Sequence, residues 1–462
     1  MAAFSRYNTG VNIPDYALTV LERLERYGFE AYVVGGCVRD SLMGRTPKDW
    51  DVCTNALPKE VLRVFRKFHV IKTGLQHGTV TVMVNHEPVE VTTFRVDGDY
   101  TDNRHPDSVS FVSRVEEDLS RRDFTINAMA YNPTRGLVDA FGGQEDLTAR
   151  VMRCVGDPDA RFNEDGLRIM RALRFASRFN FDVERETSDA VRRNRHLLEN
   201  VSAERIFKEL KGILVGEGAV SMLLAYPEVF ATIIPQLAPT VGCLQNTPYH
   251  KYDVWSHTAW AVHFAPADEL LRLTMLLHDI AKPACRTTDE NGRDHFYGHP
   301  ERGAELAKEV LLSLKSDNDT LRDVVTLVRE HDNDFPTRPA GMRRLIGRIG
   351  LENVRRLFDV QKADVAAHSD YGQQRKAERV RAAMMLLEDV LDSAAAFTVK
   401  DLDFNGGDLM QLGLKPGPAF RTLLETLLAE VQEDTLPNTK AALTARAQEL
   451  LSAAPSLSPN QQ

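Results

Sequence analysis

The chain has 462 residues, of which 43% are hydrophobic and 27% charged, and a formal net charge of −9. That length exceeds one hydrophobic core and predicts two to four domains, while the ordinary composition excludes a fibrous or wholly disordered protein. The acidic balance excludes indiscriminate nucleic-acid binding and leaves any RNA contact to local basic patches.

No run of 18 apolar residues predicts a membrane span, and MAAFSRYNTG has no apolar signal region. The five cysteines lack CxxC spacing, which predicts reduced thiols in a cytoplasmic protein, not disulfides or a zinc knuckle.

In chain order, PDYALTVLERLERYG (14–28) predicts an amphipathic helix, with Pro14 in its first turn and Gly28 at its stop. The apolar strand Tyr32-Val33-Val34 ends in Gly35-Gly36, followed by Arg39, Asp40 and then Lys48-Asp49-Trp50-Asp51. In an extended segment Asp49 and Asp51 stand at i and i+2, so both carboxylates share a face. Carboxylates that close repel unless a cation lies between them, and Mg²⁺ suits their hard oxygens. The glycine pair lets the backbone approach a phosphate, making Gly36 and the fork of Arg39 candidates for binding it. Together these residues read as nucleotidyl transfer, whereas Asp-x-Asp alone would read as a solvated turn.

PKEVLRVFRKF (58–68) predicts a second helix, and the alternating segments 79–84 and 89–94, joined by a turn over 85–88, predict a hairpin. Glu90 in its second strand is either a solvated residue or a third metal-site carboxylate. The polar stretch 97–112 predicts a mobile loop. LSRRDFTINAMA (119–130) offers Arg122 for phosphate and Asp123 for a ribose hydroxyl, or plain helix-start charge. DAFGGQEDL (139–147) predicts a turn closing the first domain.

From about residue 160 the pattern is helical, including 185–215. In NEDGLRIMRALRF (163–175), Asp165 and Arg168 at i and i+3 are expected on one helix face, with Arg171 and Arg174 extending the series. The plain alternative is an intrahelical ion pair. Cytosine and adenine share an amine beside a ring-nitrogen acceptor, which a carboxylate and a guanidinium can read. Guanine and uracil put a carbonyl in the amine's place, and unpaired groups of that kind discriminate strongly. Residues 161–213 carry 12 Lys/Arg against 9 Asp/Glu, a mild sign of an RNA-facing surface.

Past residue 250 a second chemistry begins. His257 lies in DVWSHTAW, His278-Asp279 in LLHDIAKP, His299 in YGHPERG, His331 in VREHDND and Asp364 in KADVAAH. Singly each histidine would be structural. As a set, with Lys282 one turn past Asp279, they can enclose one or two ions of a transition metal such as Ni²⁺, Co²⁺ or Mn²⁺. Residues 336–385 carry 11 Lys/Arg against 5 Asp/Glu; Arg343, Arg344, Arg348, Arg355 and Arg356 favour a phosphate-tracking face over a merely solvated one. The stretch from 452 predicts disorder, and 385–462 carries no legible chemistry.

GGCVRD, DWD, RRDFTINAMAYN and EDGLRIMRALRF resemble the bacterial CCA-adding tRNA nucleotidyltransferase and poly(A) polymerase family, closely over 30–215. DGDYTDNRHP is similar to that family's flexible loop, and 257–364 resembles the HD phosphohydrolase domain that some CCA-adding members carry. The resemblance implies an α+β chain: a small mixed-sheet nucleotidyltransferase head (1–155), then an all-α neck (156–240), HD body (241–372) and tail (373–462). It implies Gly36 and Arg39 at triphosphate positions, Asp49 and Asp51 as Mg²⁺ ligands, and Arg122 at a nucleotide-binding position. Asp165 and Arg168 match the base-reading pair, with Arg171 and Arg174 also at nucleotide positions.

The implied activity is untemplated addition of C, C and A to tRNA from CTP and ATP. Expected partners are thus tRNA, CTP and ATP, with no membrane and no obligate protein partner. HGTVTV, EVTTFR and the HD stretch look more like CCA-adding members than poly(A) polymerases, while A-only or C-only addition stays open. Two readings of another class are a metal-dependent phosphohydrolase with a nucleotide-sensing head and a plain RNA-binding protein. Intact Asp49, Asp51 and Arg168 count against the first, and the acidic balance against the second.

Overall fold

Helix α1 (Asp15–Arg26) spaces Ala17, Val20, Leu21 and Leu24 along one buried stripe. In the computed structural model, which describes residues 10–98, 109–392 and 396–453, that stripe covers a face of a seven-stranded sheet. In chain order come β1 (Ala31–Val34), α2 (Gly36–Leu42), β2 (Asp51–Thr54), α3 (Pro58–Val64), β3 (His69–Ile71), β4 (Thr79–Val84) and β5 (Glu87–Thr93). β6 (Arg95–Asp97) and β7 (Val109–Phe111) pair as a separate ribbon; α4 (Val115–Ser120), β8 (Ala130–Asn132) and β9 (Gly136–Val138) follow. The strand order is β3-β4-β5-β2-β1-β8-β9, and β2 and β5 run parallel while the other pairs are antiparallel.

Alternation sends Val80, Val82, Val89, Val91, Val52 and Val33 toward α1 and α3. Tyr32, Val34, Cys53 and Phe94 face the other way, under Val115 and Leu119 of α4. Each such fully buried side chain contributes about 1.5–3 kcal/mol.

The hairpin β4–β5 closes on Asn85 and His86 alone, at φ 52° and 68°. The turn is shorter than the expected 85–88 because two positive-φ residues already match the twist of the strands, so Glu87 and Pro88 join β5. The centre of the expected mobile loop, 99–108, and the expected disordered tail from 454 lie outside the described residues; the loop's flanks form strands. In place of the expected turn at 139–147 stands α5 (Gly143–Ala149), where Asp139 accepts from the amides of Gly143 (2.7 Å) and Gln144 (2.8 Å).

The helical stretch is interrupted by a short parallel pair, β10 (Val151–Met152) with β11 (Asp182–Val183). Between and after them run α6 (Pro158–Glu164), α7 (Leu167–Phe179), α8 (Arg185–Asn194), α9 (Ala203–Leu214), α10 (Ala219–Ala225) and α11 (Pro227–Ile233). These close the first of two compact units, Met1–Ala238 and Pro239–Gln462.

The second unit begins with α12 (Val254–Phe264) and α13 (Glu269–Leu277), whose run Leu271–Leu277 is wholly buried. α14 (Lys282–Cys285), the ribbon β12 (Thr287–Thr288) and β13 (Asp294–His295), α15 (His299–Ser313) and α16 (Asn318–Glu330) follow. α17 (Pro339–Ile349), α18 (Leu351–Ala367) and α19 (Asp370–Asp392) share a core that includes Met342, Phe358, Val380 and Leu387. α20 (Gly406–Gln411), α21 (Pro418–Gln432) and α22 (Lys440–Ala453) build another around Phe404, Leu427 and Leu443.

Four of the five arginines expected on a phosphate-tracking face have carboxylate partners. Arg343 pairs with Asp434, Arg344 with Glu433, Arg348 with Glu330 and Arg356 with Asp323. Glu330 and Asp323 are buried, and a buried carboxylate needs a paired cation. No helix among the described residues is long and apolar enough to cross a membrane.

Candidate functional site

Strand register builds the first constellation. Asp51 of β2 lies opposite Glu90 of β5. Their neighbours Val52 and Val91 point into the core, so alternation turns both carboxylates to the other face. Trp50 is buried while Asp49 is exposed. Burial, then the charges of Glu90 and Asp49, push the Asp51 carboxyl up to about 6, with Arg122 opposing. Three carboxylates this placed fit a hard divalent cation with oxygen ligands.

Gly35 carries the chain from β1 into α2 at φ 79°. A Cβ there would stand 3.0 Å from Nη1 of Arg122, so glycine lets that guanidinium lie against the turn. Arg122 is anchored to Oδ2 of Asp118 at 3.3 Å. Gly36 opens α2, where unpaired amides favour an anion.

Beside this turn, Asp123 accepts from Nε and Nη2 of Arg171 at 2.9 and 2.6 Å, and from Nδ2 of Asn127 at 3.1 Å. Burial alone would raise its carboxyl; Arg171 and Asn127 bring it down to about 2. Arg39 is buried, donates to Asp40 (2.8 Å) and Asn127 (2.5 Å), and lies 5.1 and 5.0 Å from the ring centres of Phe175 and Phe179. Arg174 pairs with Glu209 and packs on Phe175 at 4.3 Å.

A break separates α6 from α7. Asp165 is extended there (φ −145°, ψ 106°); its Oδ1 accepts from the Leu167 amide (3.0 Å) and its Oδ2 from Arg205 (2.8 Å). Arg168 pairs with Glu164 at 2.5 Å and donates to the carbonyls of Arg161 and Arg121, each at 3.3 Å.

The second constellation lies wholly in the second unit. His257 of α12, His278 and Asp279 after α13, His299 at the start of α15, His331 after α16 and Asp364 of α18 are all buried. Nδ1 of His278, His299 and His331 bonds the carbonyls of Met275 (2.6 Å), Phe296 (2.7 Å) and Val328 (2.7 Å). A carbonyl only accepts, so Nδ1 is the donor in each ring and Nε2 is the atom turned toward the cluster, free to ligate a metal only in a ring that carries no second proton.

Nε2 of His257 is 2.9 Å from Asp364 Oδ1, 3.4 Å from Nε2 of His278 and 3.5 Å from Oδ2 of Asp279. Oδ1 of Asp279 lies 3.5 Å from Nε2 of both His299 and His331, which are 3.2 Å from each other. An ion about 2.1 Å from each donor sets its neighbouring donors about 3.0–3.4 Å apart, so two groups that share Asp279, one with His257 and His278 and one with His299 and His331, could each hold an ion. Among the described residues neither Asp279 oxygen has a hydrogen bond of good geometry, although Lys282 Nζ stands 2.8 Å from Oδ2. Burial would raise Asp279 and lower His278; instead each holds the other charged, with Asp279 well below the usual carboxylate range and His278 pushed up. Burial lowers His299 to about 4, leaving it a neutral ligand at pH 7.

Three stretches match known families: residues 31–153 the Poly A polymerase head domain, 180–240 a probable RNA-binding site of that polymerase, and 249–369 the HD domain. The CCA-adding enzyme of Limosilactobacillus fermentum is 34% identical over 439 residues, spanning 95% of this chain and 97% of the relative. The chain belongs to the CCA-adding enzyme family. The member from Geobacillus thermodenitrificans is 48% identical over 237 residues, 51% of this chain; there, and in the Lactobacillus helveticus member, the match spans only 58% and 50% of the relative's length. The crystal structure of the Bacillus stearothermophilus CCA-adding enzyme in complex with CTP superposes with a TM-score of 0.73 at 28% identity, covering 95% of this chain and 97% of that one.

Set against this CCA-adding enzyme fold, two expectations are corrected. Asp165 and Arg168 do not form an i, i+3 pair on one helix, because Asp165 lies extended in the break between α6 and α7 and each residue has another partner. Arg39 presents no open fork, since Asp40, Asn127 and two aromatic rings occupy it. Arg205, His250 and His368 were missed. His368 stands one helical turn after Asp364, its Nε2 3.5 Å from Oδ1, a spacing legible in KADVAAH. His250 lies 4.6 Å ring to ring from His368, with no local signal announcing it.

Proposed function

We propose that this chain is a tRNA nucleotidyltransferase that adds C, C and A to the tRNA 3′ end from CTP and ATP without a template, releasing pyrophosphate. The observation that carries this reading is the Asp49, Asp51 and Glu90 set beside the Gly35-Gly36 turn, in a chain of the CCA-adding family. Asp49 and Asp51, with Glu90 beside them, hold Mg²⁺, which when bound stabilises charge on the reacting phosphate and activates the attacking hydroxyl. The turn at Gly36, with Arg122, receives the triphosphate, and Arg39 supports it from behind. Asp165 accepts from the amine of cytosine or adenine and Arg168 donates to the ring nitrogen. Arg171 and Arg174 line the same helix, and Asp123 orients Arg171.

The working divisions are a head to residue 155, a neck to 240, an HD body to 372 and a tail beyond, in a cytoplasmic enzyme that needs no protein partner. A second activity is favoured by the Asp279 cluster: hydrolysis of a phosphate ester with Ni²⁺, Co²⁺ or Mn²⁺ on His257, His278, Asp279, His299, His331 and Asp364. The test is incubation with tRNA lacking its 3′ end, Mg²⁺ and each labelled nucleotide in turn. C followed by A, with U and G excluded, is expected; A alone, C alone or a long A tract would overturn CCA addition.

A further inference from the structure

Beside the Asp279 cluster lies a cavity of about 360 Å³ whose lining includes Asp279, Asp332, Asp364, Lys282, Arg293 and Lys376. Its charged groups nearly cancel, so two divalent ions on the cluster would turn it strongly positive and favour an anion.

The two lysines differ. Lys282 is buried and committed, with Nζ 2.8 Å from Asp279 Oδ2 and 2.9 Å from Gln245 Oε1. Lys376 Nζ lies 3.1 Å from Asp332 and 3.8 Å from Asp364. The Asp332 side chain is 42% exposed, and so accessible a pair is worth about 0–1 kcal/mol, little enough for an incoming anion to displace. Lys376 also comes from outside the HD match, which ends at residue 369. It is carried by α19, which Val380, Ala383 and Leu387 pack against α17 and α18, so the ammonium rides on a fixed element.

We propose that Lys376 is a phosphate-binding residue of this cavity, its ammonium holding one oxygen of a phosphate ester whose other oxygens would face metal held by Asp279 and the histidines beside it. The proposal rests on reading the cluster as a metal site. A lysine ammonium suits this as a compact point charge that binds phosphate without a fixed fork. The helix after the HD match thereby completes the anion site.

The test uses the full chain with Asp49→Ala and Asp51→Ala, which silence the head. Mn²⁺ binding is followed by electron paramagnetic resonance, and inorganic phosphate by broadening of its ³¹P line. Saturable broadening that requires Mn²⁺ is expected. Lys376→Ala should weaken phosphate by about tenfold or more while Mn²⁺ affinity stays within about twofold. Lys376→Arg should keep most of the affinity, and Lys362→Ala, a lysine of α18 paired with Asp359, should keep all of it. Unchanged phosphate affinity in Lys376→Ala, or equal losses in Ala and Arg, would overturn the proposal. So would Mn²⁺ that binds with no broadening of phosphate. Mn²⁺ binding that is absent or indifferent to His278→Ala refutes the metal reading itself, and the proposal with it.

Discussion

The two constellations solve opposite electrostatic problems. In the head, Asp49, Asp51 and Glu90 crowd together, and Asp51 is pushed up to about 6. Those carboxylates repel one another, and the set is partly open to solvent. In the second unit Asp279 and Asp364 are buried among imidazoles and lysines, and both are held well below the usual carboxylate range. That cluster compensates its own charge, so a metal must displace protons to enter it. The hard set suits Mg²⁺ and the imidazole set a transition metal. The difference teaches that carboxylates set side by side by strand register keep their mutual repulsion, whereas groups gathered from five helical elements can neutralise one another.

The largest effect that separates the two sites is loss of nucleotide addition. Asp49→Ala or Asp51→Ala should cut incorporation of labelled CTP on trimmed tRNA by about 10³-fold or more, with tRNA binding by filter assay preserved. Near-normal addition would sink the metal assignment and the comparison with it. Next, His278→Ala or Asp279→Ala should lower hydrolysis of a phosphoester with Ni²⁺, Co²⁺ or Mn²⁺ by about 10²-fold, leaving CCA addition intact. A wild-type chain that hydrolyses nothing with these metals would make the cluster structural.

A third measurement sharpens the electrostatic contrast. Asp51 keeps its proton to about 6 in the folded chain against 3.8 ordinarily. Folding therefore loses stability as pH rises from about 4 to about 6, and nothing more changes above that. In EDTA at pH 8, Asp51→Asn should stabilise the head by about 2–3 kcal/mol, and at pH 3 by about nothing. Thermal unfolding at both pH values reads this, and equal shifts at both would reject the charge account. The smallest effect concerns base choice. Asp165→Ala should lower the CTP:UTP incorporation ratio by about tenfold, near 1.4 kcal/mol, in competition assays; Arg168→Ala is expected to slow both. An unchanged ratio would leave Asp165 as the acceptor for the Leu167 amide and the Arg205 partner seen here.

The sequence by itself determined what local rules govern. Alternation in 79–94 marked the hairpin, the i, i+2 spacing marked Asp49 and Asp51 as a candidate pair, and residue type marked His257, His278, Asp279, His299, His331 and Asp364 as a candidate set. Tertiary structure decided the rest. Strand register, a property of two strands at once, set Glu90 against Asp51. The break between α6 and α7 gave Asp165 to Arg205 and Arg168 to Glu164, because Asp165 lies extended there and off the helix face. Helix packing let Asp279 face two groups of imidazoles and brought His250 and Lys376 alongside, residues that no local spacing ties to the cluster. Periodicity reports which way a side chain points; only packing between distant segments reports what it meets.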